Sequence, residues 1–207
     1  MTQALKLLSA PRPEPDGTLQ ARTFSTDGQD SYLAPSSYSV NRHAWVHVFP
    51  EACCHQNPAG TLRYFKWGIS RLILESEPAP DFIPMFVHGT QLIMPEDRGW
   101  PRWAPRIGNL IRVNIGERVN VDQLFGQQRA EWKRLVEKHG EDADVPEVRE
   151  LRIAVAKTVR DEVSKLREEM GLAPDEDESA ALAETWSKEP NKRRFKSPVD
   201  GSFVNQH

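Results

Sequence analysis

Three short stretches of the sequence carry residue types that could do chemistry. The first is Phe49-Pro50-Glu51, at the end of an apolar run. A carboxylate at a strand end in an α/β fold stands where such folds open their crevices. Glu51 there could bind hydroxyls or organise a cation; the plainer alternative is a solvated glutamate in a turn. The second stretch is Arg63-Tyr64-Phe65-Lys66-Trp67-Gly68-Ile69-Ser70-Arg71. Arg63 and Lys66 are one helical turn apart and would share a helix face, with Arg71 offset but within reach. Such a face could hold a phosphate. The alternative is an ordinary amphipathic helix with solvated cations. Gly68 inside that helix would cost about 1 kcal/mol relative to alanine, which suggests close approach by another group.

The third stretch is Arg98-Gly99-Trp100-Pro101-Arg102-Trp103-Ala104-Pro105-Arg106. Its prolines forbid a regular helix. Indoles Trp100 and Trp103 interleaved with Arg102 and Arg106 suit the headgroup layer of a membrane, where amphipathic rings and cations both rest. They could also stack on single-stranded nucleic acid. A loop folded over the core with its tryptophans buried is the remaining alternative. The two cysteines, Cys53 and Cys54, are neighbours, so a disulfide framework is excluded, and no cluster of metal-ligand residues accompanies them. No cofactor or metal is expected.

These stretches need elements to position them. Trp45 to Phe49 is a short β-prone run stopped by Pro50 and reads as a buried strand. Leu62, Phe65, Ile69, Leu72 and Ile73 fall at helical spacing, predicting a helix from Leu62 to Glu75. Phe82 to Val87 reads as a second strand, with Pro84 marking an edge or an end, and Ile111, Val113 and Ile115 alternate as a third. This order predicts an α/β fold with a parallel βαβ unit. Amphipathic helices follow. One runs from Gln127 to His139. A longer one starts at Pro146 and carries Val148, Leu151, Val155, Val159, Val163, Leu166 and Met170 on one face until Gly171. That stripe is expected to dock on the core.

The chain divides accordingly into an irregular segment over 1–43, an ordered part over 44–171 and a charged tail over 172–207. The first holds a dense run of prolines (Pro11, Pro13, Pro15). The tail pairs an acidic cluster at Asp175–Glu178 with basic residues Lys192, Arg193, Arg194 and Lys196, and is expected to be disordered. Net charge is −3, which argues against a surface built as a whole for nucleic acid. No run approaches the roughly eighteen apolar residues of a spanning helix. Met1 to Pro13 is too weakly apolar for a secretory signal, and Glu14 and Asp16 arrive early for a mitochondrial presequence.

Taken together, the sequence resembles the tafazzins, of the glycerophospholipid acyltransferase superfamily. The likeness rests on Trp45-Val46-His47-Val48-Phe49-Pro50-Glu51, on Arg63 to Glu75, on Ile83-Pro84-Met85, on Pro101-Arg102-Trp103, and on Ile111-Arg112-Val113-Asn114-Ile115-Gly116. It covers about Ala44 to Met170, the C-terminal half of a tafazzin, and its wording is of the fungal type. The preceding loop resembles an insertion of fungal members.

The resemblance implies a partial acyltransferase-type βαβ core. It also implies a transacylase that moves an acyl chain between a phospholipid and a lysophospholipid without acyl-CoA and remodels cardiolipin. The expected partners are cardiolipin, phosphatidylcholine, their lyso forms and a membrane surface. The expected location is the mitochondrial inner and outer membranes, without a conventional crossing. Nucleic acid is not an expected partner, and the resemblance leaves monomer and oligomer both open. It assigns binding of the glycerophosphate part of the acceptor to Pro50 and Glu51, and with them to Arg63 and Lys66. Pro84 would stand beside the acyl site, and Trp100, Arg102, Trp103 and Arg106 would meet the membrane.

Two departures stand out. The family glycine after Glu51 is Ala52 here, which would be strained at a backbone angle only glycine reaches comfortably. The superfamily's catalytic His-x4-Asp, upstream of the Phe-Pro-Glu block, has no counterpart. His43, His47, His55 and His88 have Val48, Ala52, Gly60 and Ile93 at the offset. Only His139 has an aspartate there, Asp144, in a polar stretch between two helices that is not expected to be catalytic. The expectation is an N-terminally truncated family member, inactive and only partly folded alone. A non-catalytic lipid-binding module derived from the family is the alternative.

Overall fold

Helices form where apolar residues recur at three- and four-residue spacing, and the strands between them are short. The structure, a computed structural model, describes residues 2–9, 23–24, 29, 31–33, 44–52, 60–95, 99–140, 144–174, 194–196 and 203–205. In chain order the elements are α1 (Thr2–Leu8), β1 (Thr23–Phe24), β2 (Tyr32–Leu33), α2 (Gly68–Glu75), β3 (Met85–His88), a 3-10 turn (Thr90–Leu92), β4 (Arg112–Ile115), α3 (Val121–His139), α4 (Pro146–Glu169), β5 (Arg194–Lys196) and β6 (Phe203–Asn205). The α/β class therefore holds. The described chain falls into two compact units. One comprises 1–48, 67–82 and 120–155, the other 49–66, 83–119 and 156–207, so α4 contributes to both.

In the first unit α2 packs against α3, and α1 against α2. Leu72, Ile73 and Leu74 of α2 and Val121, Phe125, Trp132 and Leu135 of α3 are buried, as are Val148 and Val155 of α4. α3 starts six residues before the predicted Gln127. Asn120 caps it, with Oδ1 accepting from Gln123 N–H at 3.0 Å. Lys138 and His139 sit in its last turn, where cations complement the carbonyl end. The buried Arg129 guanidinium donates to Ile73 O and, at 2.9 Å, to Ser76 O, so it satisfies carbonyls at the C-terminal end of α2. Arg152 lies between two indoles, 5.2 Å from the Trp67 ring and 4.8 Å from the Trp132 ring, and reaches Glu75 at 3.3 Å.

Glu77 receives Lys133 at 2.8 Å and Arg129 at 3.1 Å. The Lys133 hydrogen bond, reinforced by both positive charges against the opposing effect of burial, holds its carboxyl below the usual range. A depressed carboxylate pKa contributes stability above that range and loses it as pH falls through the folded value.

The second unit is built on β3, β4 and the C-terminal part of α4. The strands pair antiparallel, Met85 opposite Ile115 and His88 opposite Arg112. Asn114 Nδ2 donates to Leu166 O at 3.1 Å and to Glu169 at 3.0 Å, fastening the sheet to α4. The α4 residues Val159, Val163 and Leu166 are buried, so the stripe docks on the chain's own core as expected.

Three expectations need correction. Trp45 to Phe49 is not a strand, and Trp45 and Phe49 are exposed. A run becomes a strand only when it pairs with a neighbouring strand, and this one is in none of the described sheets. With it goes the parallel βαβ unit, since the described central pair is antiparallel. Third, the helix predicted from Leu62 begins only at Gly68. A helix would give Lys66 N–H to Leu62 O. Instead Lys66 N–H donates to Pro50 O at 2.8 Å, and Leu62 O accepts from Arg160 Nη2 at 2.8 Å. Gly68 accordingly opens α2 rather than interrupting it.

In the segment expected to be irregular, β1 and β2 pair antiparallel; in the tail, β5 pairs with β6. Cys53, Cys54, Arg98, the acidic cluster at 175–178, Lys192 and Arg193 lie outside the described residues.

Replacing Arg129 by methionine would leave the carbonyls of Ile73 and Ser76 without their donor. We expect a loss of about 2–3 kcal/mol, read as a lower urea midpoint at unchanged slope.

Candidate functional site

The site is a turn clamped onto a non-helical segment. Phe49-Pro50-Glu51-Ala52 closes through Ala52 N–H donating to Phe49 O at 3.1 Å. Pro50 holds the second position, where its fixed φ suits a turn. The Glu51 carboxylate accepts Arg63 N–H at 2.9 Å, and Pro50 O accepts Lys66 N–H. Two hydrogen bonds, twelve and sixteen residues apart in sequence, thus join the turn to residues 63–66.

The 60–66 segment is held from behind by two arginines of α4, both buried. Arg160 donates Nη2 to Leu62 O and Nε to Arg63 O at 3.1 Å; Arg167 donates Nε to Gly60 O at 2.7 Å. Charge-assisted bonds from a rigid fork to backbone carbonyls are among the stronger ones available to a protein. They fix the backbone that presents Arg63 N–H to Glu51. Nothing in the sequence reading singled out these arginines. A signal existed: Ala156, Arg160, Val163 and Arg167 recur at helical spacing, so both arginines fall within the buried stripe.

Pro50, Glu51, Arg63 and Lys66 are therefore brought together, but not as predicted. Arg63 is buried at 8% exposure and Lys66 is exposed, so no helix face unites them. Lys66 Nζ lies 5.8 Å from the Tyr64 ring centroid. Arg71, in the first unit, is engaged by Glu75 through contacts of 2.8–3.0 Å. Pro84 is buried just before β3, as its strand-end reading implied, with its carbonyl accepting from Gly116 N–H at 2.9 Å. Each member of the in-chain pair with catalytic spacing has its own setting. Asp144 is taken by Arg149 at 3.0 Å, and His139 ends α3.

The Trp/Arg loop projects from the β3–β4 connection. Its base is fastened by Arg106 N–H to Ile93 O at 2.8 Å and by Asn109 Nδ2 to Leu92 O at 3.1 Å. Gly89, at φ +100°, lies so close to Leu110 O that any Cβ would collide with it. The tip is open: Trp100 is 90% exposed, Trp103 78% and Ile107 96%, and Arg102 and Arg106 are exposed as well. The reading in which the tryptophans are buried is overturned. The prolines and a short base leave the tip no core to cover.

Ala52 adopts φ +55°, the left-handed region that costs a non-glycine residue. Ala52→Gly should stabilise the fold by about 1 kcal/mol, since this position is the αL case in which a Cβ is penalised. A rise in the unfolding midpoint checks it.

No family model matches the sequence. Among curated proteins, "Tafazzin" of Saccharomyces cerevisiae is 31% identical over 225 residues, an alignment covering 99% of this chain and 57% of the yeast protein. "Taffazin" of Dictyostelium discoideum is 31% identical over 107 residues, covering 48% of this chain and 36% of that protein. "N-acylphosphatidylethanolamine synthase" of Arabidopsis thaliana is 31% identical over 81 residues, covering 38% of this chain and 28% of that protein. The chain thus spans little more than half of the yeast relative and less of the others. Along nearly its whole length, the chain is similar to the yeast tafazzin.

Proposed function

We propose that this chain is the acceptor-binding and membrane-contacting part of a tafazzin-type phospholipid–lysophospholipid transacylase that remodels cardiolipin without acyl-CoA. The observation that carries this reading is the Phe49-Pro50-Glu51 turn hydrogen-bonded to the Arg63–Lys66 segment. That clamp places a carboxylate, a buried guanidinium-bearing residue and an exposed ammonium in one short stretch of structure. A glycerophosphate needs these partners: cations for the phosphate and a carboxylate for a hydroxyl. In this reading Arg63 and Lys66 serve the phosphate, and Glu51, with Pro50 shaping the turn, serves the glycerol. Pro84 belongs beside the acyl chain.

In the reaction, the lysophospholipid hydroxyl oxygen forms a bond to the donor's ester carbonyl carbon. The donor's own ester C–O bond breaks, and the leaving oxygen takes up a proton, so one ester is exchanged for another. A His-x4-Asp pair must supply the base, and Asp144 is already engaged by Arg149. That engagement is also what favours the second reading, a lipid-binding module without catalysis.

Among the described residues no helix is long and apolar enough to cross a membrane. The exposed Trp100, Trp103 and Ile107, flanked by Arg102 and Arg106, suit an interfacial contact instead. The mitochondrial inner and outer membranes are the location this reading assigns.

Two measurements test it. In an acyl-exchange assay with lysophosphatidylcholine and cardiolipin, the purified chain alone should be inactive. Mixing it with the remaining portion of a tafazzin, bearing His-x4-Asp, should restore exchange, and Glu51→Gln should lower the restored rate about tenfold or more. Activity of the chain alone that His139→Ala abolishes would overturn the assignment. In flotation with cardiolipin-containing liposomes, changing Trp100 and Trp103 together to alanine should weaken association about tenfold or more, from the apolar area no longer buried. Unchanged flotation removes the membrane contact.

A further inference from the structure

A cavity of about 320 Å³ in the second unit opens between the end of β3, the start of β4 and the chain leaving α4. Its walls combine two kinds of surface. Leu92, Leu110, Met170 and Leu172 are apolar, and methionine adapts readily to a flexible apolar ligand. His88 and Arg112 are the polar members, and no described acid lines the space. None of Glu51, Arg63 or Lys66 is among the lining residues.

The two polar residues are cross-strand partners: His88 stands directly opposite Arg112 in the β3–β4 register. Opposed residues of an antiparallel pair have Cβ atoms about 5 Å apart, so both side chains reach one small ligand group. The orientation of His88 can be traced. Gln91 Oε1 accepts Gly89 N–H at 3.0 Å, which fixes the amide and turns its Nε2 towards His88 Nδ1, 3.5 Å away. The ring arrangement that matches this pairing accepts at Nδ1 and has its N–H at Nε2, a donor. The ring is steadied by stacking on Phe86, with centroids 6.4 Å apart, and by the close approach of Gly60, where a Cβ would meet it at 3.3 Å. Arg112 adds a permanent positive charge and a planar fork of donors.

Donors without an acid, set among apolar walls, describe a receptor for one kind of molecule. We infer that the His88–Arg112 cavity binds a single-chain amphiphile with an anionic head, the head held by His88 Nε2–H and the Arg112 guanidinium and the first part of the chain by Leu92, Leu110, Met170 and Leu172. The volume lies at the small end of ligand cavities, which suits one chain rather than two. The shared chemistry is an anionic head on a hydrocarbon chain. A fatty carboxylate and a phosphate monoester are its two sources. The inference goes beyond the transacylase reading, and its test requires no acyl transfer.

The test is calorimetric titration of the whole chain with decanoate, decyl phosphate, decanol and inorganic phosphate, each below its aggregation threshold. Decanoate or decyl phosphate should bind at one site. The preferred one of the two identifies the head group. Decanol and inorganic phosphate should each bind about tenfold more weakly or worse, since each lacks one half of the recognition. Arg112→Gln, at an exposed position, should weaken the anion about tenfold while leaving the thermal transition in place. Leu172→Trp, which fills the cavity, should abolish binding. Decanol binding as tightly as decanoate would overturn the inference in the unmodified chain. So would an Arg112→Gln variant with undiminished affinity.

Discussion

The second unit depends on where two backbone carbonyls find their hydrogen bonds. Leu62 O and Arg63 O accept from the Arg160 guanidinium. Were they to accept from the chain four residues on, residues 62–67 would coil into the helix that their apolar spacing predicts. Here they face Arg160 instead, and residues 61–66 form no helix. Lys66 N–H is then free to reach Pro50 O, and Arg63 N–H faces Glu51. A buried guanidinium bonded to carbonyls is stable only while those partners persist, because an unsatisfied buried charge costs several kcal/mol. The arginine and the segment it holds therefore require one another.

Buried and half-buried arginines recur as the joints of this protein. In the first unit Arg129 closes the C-terminal end of α2 through Ile73 O and Ser76 O, and Arg152 lies between Trp67 and Trp132. In the second, Arg160 and Arg167 hold Gly60 to Arg63. The guanidinium offers five donors in a plane and stacks on aromatic rings, so one side chain can satisfy several carbonyls and still pack. A chain with a modest apolar fraction gains organisation this way that aliphatic residues alone would not supply. The cost is dependence on each contact, since a lost partner leaves a buried charge.

The apolar surface left outside these joints has a pattern. Trp100, Trp103 and Ile107 sit at the tip of a loop whose base is tied by backbone and amide hydrogen bonds. Exposed Val87, Val113 and Ile115 lie on the strands that carry it. Indoles on an ordered base can meet an interface with little further loss of freedom, which is the physical basis of the membrane contact proposed above.

Much was readable from residue order alone. The stripe from Val148 to Leu166 specified α4, because a 3.6-residue period leaves one apolar face to bury. Pro84 marked an edge or an end of the second strand, which begins just after it rather than at Phe82, and the Phe49-Pro50-Glu51 wording marked the turn, since proline restricts φ wherever it stands. Ala52 in place of glycine pointed to a strained angle, and its φ of +55° is that strain. These are local effects, fixed within a few residues. Tertiary structure decided the rest. It set the antiparallel pairing of β3 with β4, the late start of α2, and the separation of buried Arg63 from exposed Lys66. Each turns on hydrogen bonds to residues far along the chain, up to 107 positions for Arg167 to Gly60. Local propensity does not encode which distant donor a carbonyl will find; that choice is made only when the whole fold competes for it.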